Sequence, residues 1–134
     1  HEHRRQRQMC IRDSNKLLPV LLLEDYVFCN FPSSRYGDHV NLKPIASFNE
    51  KEGLTLVIKK ETAQLNNLSY EGVFRCISLE LISSLSSVGL TAKISKLLSD
   101  NGISANICAG YYHDHIFVPQ DRSEEALKLL CDNA

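Results

Sequence analysis

No apolar run in this chain of 134 residues approaches the ~18 to 20 residues that a membrane-spanning helix needs. The longest, Leu17 to Leu23, is interrupted by Pro19. No secretory leader is expected, because the basic start is not followed by an apolar segment and a small-residue cleavage site. Charge of one sign is not in excess. Fifteen basic residues against sixteen acidic ones leave a formal net charge of −1, which removes the electrostatic ground for a nucleic-acid partner. The five cysteines, Cys10, Cys29, Cys76, Cys108 and Cys131, form no CxxC pair and lie far apart. That spacing argues against a zinc knuckle or a disulfide framework and for reduced thiols in a cytoplasmic protein.

At 43% hydrophobic and 23% charged residues, the composition is that of a soluble globular protein. The length suits one ordinary domain or two very small ones. Residues 1–14, HEHRRQRQMCIRDS, hold the only basic cluster, Arg4, Arg5, Arg7 and Arg12. This stretch resembles adapter-derived or tag-like sequence of non-native origin, and it is set aside from the fold. A basic arm for nucleic acid is the competing reading.

The stretch from Phe74 to Val118 carries the clearest pattern. Ile77, Leu79 and Leu81 alternate with Cys76, Ser78 and Glu80, the period of two of a strand with one buried face. Leu90, Ile94, Leu97 and Leu98 then recur at helical spacing and end at Asn101-Gly102, a C-terminal stop signal. Ile103, Ala105, Ile107 and Ala109 alternate again, and His113-Asp114 is expected to turn the chain into Ile116 and Val118. Asp121 and Glu124 form a D-x-x-E box opening a last helix whose apolar face is Ala126, Leu127 and Leu130.

Upstream, Leu17 to Leu23 reads as a short helix with Pro19 in its first turn. The aromatic and β-branched run Tyr26 to Phe31, closed by Pro32-Ser33-Ser34, reads as a strand. Arg35 to Pro44 is a polar loop. Ile45–Phe48 and Leu54–Ile58 flank a five-residue hairpin connection in which Gly53 takes positive φ. Lys60 to Leu65 is a weak helix stopped by Asn66-Asn67.

The order of elements, with Val88-Gly89-Leu90-Thr91 opening one helix, Asp100 to Asn106 leading into a strand and Ile116-Phe117-Val118-Pro119 before the last helix, resembles an ACT domain. More narrowly, SSLSSVGLTA, GISAN and AGYYHDHIFVP resemble a family of small proteins with two ACT-like halves, related to the arginine-sensing CASTOR proteins. The resemblance implies an α/β fold of the ferredoxin-like (ACT) class, an antiparallel sheet with helices on one face, in two interlocked halves: 15–70, incomplete because a loop stands where the first helix belongs, and 71–134. The second half stops before a sixth strand, and the Tyr26–Phe31 strand is expected to fill that gap.

No catalytic constellation emerges from the residues. A Cys108–His113 pair lacks any group to activate the thiol, and His113-Asp114-His115 offers too few ligands for a structural metal. Neither a cofactor nor a metal is expected. The turn before the first helix of the second half is the stronger candidate. Amides near Leu90, Thr91 and Ala92 would face outward with the positive end of the helix dipole, where a carboxylate is stabilised. Gly89 would let the backbone approach closely, and Ser83, Ser84, Ser86 and Ser87 would surround the place with hydroxyls. The blander alternative is a capped helix with no ligand. By the resemblance, Val88, Gly89, Leu90 and Thr91 form one wall of a ligand site and Ser104, Ala105, Asn106 and Ile107 the other. Glu52, or Glu50, in the hairpin resembles the acidic residue that helps hold a cationic amino acid in CASTOR proteins; a solvated turn is its plain reading. The resemblance thus implies a non-catalytic regulator that senses an amino acid or similar small carboxylate and forms a homodimer. The alternative is a protein–protein interaction module with no metabolite.

Overall fold

The structure, a computed structural model, describes residues 8–9, 18–80 and 88–133. Of the segment read as non-native, only 8–9 are among them, and the four serines at 83, 84, 86 and 87 lie outside the described residues. In chain order the elements are β1 (Gln8–Met9), β2 (Pro19–Phe31), β3 (Ala46–Glu50), β4 (Gly53–Lys59), α1 (Lys60–Leu65), β5 (Phe74–Glu80), α2 (Leu90–Asp100), β6 (Asn106–Ala109), β7 (His113–Pro119) and α3 (Ser123–Asn133). Short 3-10 turns occupy Val40–Leu42 and Gln120–Arg122. The chain divides into two compact units. One holds the residues up to Leu23 together with those from Phe74 onward, the other Glu24–Val73.

In the first unit the strand order is β2-β5-β7-β6, with β7 antiparallel to both β5 and β6. Alternation fixes the faces. Ile77, Leu79, Ile116 and Val118 point to one side and meet Ile94 and Leu98 of α2 and Ala126, Leu127 and Leu130 of α3. Leu98 is fully buried and Ile94 nearly so, each contributing roughly 1.5–3 kcal/mol by removal from water. The helix stops where expected. Gly102 takes φ 71°, which lets Ile103 N donate to Leu98 O at 2.9 Å, closing the last turn. Arg122 then donates to Asn101 O and Gly102 O while pairing with Glu125. The helix starts two residues later than the D-x-x-E reading places it, since Asp121 lies in the 3-10 turn and α3 begins at Ser123. The ferredoxin-like class is therefore present, with helices on one side of antiparallel strands.

Three local expectations are corrected. The Leu17–Leu23 run is not a helix: from Pro19 it is the start of β2. A run apolar at every position but Pro19 has no period to tell strand from helix, and a proline at the first residue of a strand leaves the ladder intact. This part of β2 groups with β5, its neighbour in the sheet, so it fills the place expected for Tyr26–Phe31. Those residues pair antiparallel with Leu54–Lys59 of β4. The third correction concerns His113-Asp114-His115, which begin β7 rather than forming a turn. The turn is at Gly110–Tyr112, and Gly110 N donates to His113 O at 2.7 Å.

The Glu24–Val73 unit has the strand order β3-β4-β2 over a core of Val27, Cys29, Leu42, Leu54, Leu56, Ile58 and Ala63. Arg35–Pro44 contributes the buried Leu42 from its 3-10 turn but no α-helix. The hairpin connection is tighter than expected, with only Lys51-Glu52 between Glu50 and Gly53, which face each other. Gly53 does take positive φ, at 131°. Among the cysteines, Cys29, Cys76 and Cys108 are free, while Cys131 is disulfide-bonded, against the expectation of a fully reduced set.

Candidate functional site

Helix α2 starts from Gly89, whose φ of 103° and ψ of −18° are left-handed and which, having no side chain, makes no side-chain cap hydrogen bond. The first hydrogen bond of the helix runs from Lys93 N to Gly89 O, 2.9 Å. The amides of Leu90, Thr91 and Ala92 precede it and have no acceptor within the helix. Thr91 and Ala92 are exposed, Leu90 is half-buried and Val88 is 99% exposed. A Cβ at Gly89 would meet no described atom within 4 Å. The glycine suits this left-handed backbone, which L side chains rarely adopt.

The second expected wall is divided. Ile107 pairs with Ile116 and packs on the helix-side core, whereas Asn106 pairs with Phe117 and points to the other face. Ser104 and Ala105 line a shallow hollow of about 350 Å³ together with Ser95, Ser99, Gly102 and Ile103. Gly89, Leu90 and Thr91 do not line it. Ser95 is five residues along α2 from Leu90, about 7.5 Å at helical rise. The structure thus joins Ser104 and Ala105 to serines that the sequence reading passed over. Their i, i+4 spacing, which puts Ser95 and Ser99 on one helix face, is the signal that marks them. Glu52 lies in the other unit, exposed in the Lys51-Glu52 turn, while Glu50 accepts a hydrogen bond from Thr55 Oγ1.

The sheet face away from the helices is uneven. Cys76 and Phe117 are almost wholly buried, Ser78 and Cys108 are half-buried, and Glu80 and Asn106 are exposed. Burial, and secondarily the nearby Cys108, pushes the Cys76 thiol up to about 12 against a hydrogen bond with the Ile116 backbone. Burial also raises the Cys108 thiol. Neither is an activated nucleophile. The cross-strand neighbour of Cys108 is His115, not His113, and the ring of His115 contacts the Cys108 carbonyl at 3.3 Å. At pH 8, a thiol titrating near 12 is ionised in only about one molecule in 10⁴. Alkylation by iodoacetamide, followed by mass spectrometry, is therefore expected to leave Cys76 unmodified over hours and to label Cys108 slowly. Rapid selective labelling of Cys108 would revive the thiol-enzyme reading.

Among the described residues no group of three or more His, Cys, Asp or Glu could hold a metal ion. Within β7, His113 and His115 share a side while Asp114, 5% exposed, points to the other. No helix of the described residues is long and apolar enough to cross a membrane.

Comparison with known proteins supplies the family. An ACT-domain model matches residues 15–75 and a second ACT-domain model matches residues 71–132. Among solved structures, a Vibrio cholerae protein of unknown function, described as a possible transport protein, is 45% identical with a TM-score of 0.80, over 87% of this chain and 88% of that one. The regulatory subunit of aspartate kinase from Thermus thermophilus is similar in fold at 15% identity and a TM-score of 0.59, over 83% and 92% of the two chains. A protein from Agrobacterium tumefaciens is similar in fold at 16% identity and a TM-score of 0.66, over 81% and 82%. No curated protein matches.

Proposed function

Since the chain belongs to the ACT-domain family, with one such domain matched over 15–75 and another over 71–132, we propose that it is a non-catalytic regulator that senses an amino acid or similar small carboxylate. The regulatory role is supported by the domain type and by the likeness in fold to a regulatory subunit of aspartate kinase. The observation that carries the ligand reading is the first turn of α2, whose amides at Leu90, Thr91 and Ala92 have no acceptor within the helix and follow a left-handed Gly89. A carboxylate there gains direct hydrogen bonds and roughly 0.3–1 kcal/mol from the helix dipole. Its output is a population shift between assemblies, a homodimer among them, rather than a reaction.

A thermal-shift screen over the twenty amino acids tests this reading. A ligand held at 100 times its dissociation constant adds about 2.7 kcal/mol of stability. Thr91→Glu places a fixed carboxylate in the same turn. It is expected to leave the unliganded protein as stable or slightly more so, and to abolish the ligand-induced shift by like-charge repulsion. A shift that survives Thr91→Glu undiminished places the ligand elsewhere. The second reading, an interaction module without a metabolite, is favoured by the exposure of Val88, Tyr111 and Tyr112 at 99%, 76% and 71%. No shift with any amino acid, together with a partner lost on Tyr111→Ser, Tyr112→Ser substitution, would select it.

A further inference from the structure

The Glu24–Val73 unit contains a second hollow, of about 440 Å³, at the place where the chain leaves β2. It adjoins the loop that stands in place of a helix, and Asn30, Phe31, Ser34, His39, Asn67 and Ser69 are among its walls. The Phe31 and His39 rings stack at 4.2 Å with 27° between planes, and the His39 ring contacts Ser34 Oγ at 3.2 Å. Asn30 pairs with Thr55 and its amide donates to Thr55 Oγ1 at 3.0 Å, on the sheet face opposite Phe31. Among the described residues no Lys, Arg, Asp or Glu lines the hollow. Of the four described non-glycine residues with positive φ, three, Ser33, His39 and Asn67, stand in or beside its rim. Such backbone is retained where the surroundings hold it, and it gathers at ligand clamps.

We propose that this hollow is a binding site for a small, planar, uncharged molecule with an amide-type edge, the chemistry shared by nucleobases and aromatic carboxamides. Phe31 and His39 supply flat apolar contact. The amide of Asn67 and the hydroxyls of Ser34 and Ser69 supply donors and acceptors, the pattern that matches such an edge. Without a lysine or arginine a phosphate finds no partner here, and without a carboxylate an ammonium finds none. The site is separate from the start of α2, which lies in the other unit.

The test is calorimetric titration of the full chain with adenine, uracil and nicotinamide, beside adenosine, adenosine monophosphate and glutamine. At least one planar compound is expected to bind. Adenosine monophosphate should bind no more tightly than adenosine, and glutamine should not bind at this site. His39→Asn and Asn67→Gly keep residues that tolerate the left-handed backbone, and each is expected to weaken binding about tenfold or more through lost stacking or hydrogen bonds. Ser34→Ala gives the same readout if either of those variants fails to fold. Thr91→Glu should leave this binding unchanged, which separates the present site from the one at α2. Absence of heat with all three planar compounds at about 10 mM, or binding that the hollow variants leave intact, overturns the proposal.

Discussion

Alanine at position 53 is expected to lower the unfolding free energy by about 2 to 5 kcal/mol, the sum of backbone strain and overpacking. Gly53 has φ 131°, a conformation L side chains rarely adopt. An added Cβ would lie 2.5 Å from Phe31 O and 2.8 Å from Pro32 Cα. Both are backbone atoms and cannot rotate away, so β2 and β4 would have to part at the very end where Phe31 pairs with Leu54. Gly37 provides the control. It has φ 100° but open space around the missing Cβ, so Gly37→Ala carries the conformational cost alone, about 1–2 kcal/mol. Urea unfolding of both variants separates strain from collision. Equal losses would show that the close approach to Phe31 and Pro32 contributes nothing.

Arg75→Ala is expected to cost about 3 kcal/mol, from an acceptor left without its donor and from the space vacated by the side chain. Arg75 is 3% exposed and sends both Nε and Nη2 to the Leu22 carbonyl, at 3.0 and 2.6 Å. Arg75→Met fills most of the volume without the donors and should lose less, about 1–2 kcal/mol. Replacing a buried ion with a well-packed apolar chain is sometimes neutral or stabilising, so the methionine variant is the sharper test. A melting temperature at or above that of the parent protein would mean that the guanidinium does not hold Leu22 in place energetically.

Periodic signals were legible wherever one face alone is buried. The alternation of Ile77 and Leu79, the helical spacing of Ile94 and Leu98 and the Asn101-Gly102 stop all correspond to what is built, because each is decided by a residue and its near neighbours. The same local logic gave Gly53 its positive φ and Lys60–Leu65 its helix. The Leu17–Leu23 run was misread because a segment apolar throughout shows no period, and only its neighbour in the sheet decides its state. His113-Asp114 was misread as a turn because aspartate suits turns, while the adjoining Gly110 meets tighter constraints: a Cβ there would lie 3.0 Å from His113 O. The candidate site was partly legible. Gly89 does open α2, but the division of Asn106 from Ile107 follows from strand alternation that the grouping of four consecutive residues ignored. The hollow bounded by Phe31, His39 and Asn67 joins residues more than thirty positions apart, a meeting that only the folded chain reveals.

Strand β2 has a further bearing on the order of events during synthesis. Leu22 leaves the ribosome fifty-three residues before Arg75, the side chain that grips its carbonyl. The intervening Glu24–Val73 stretch forms a unit from contiguous chain, so its contacts can close early at little entropic cost. The opening strand of the other unit must wait, unpaired with β5, until the downstream half has been translated. For that interval the nascent chain carries an apolar segment, Val20 to Leu23, whose sheet neighbour β5 has not yet been made.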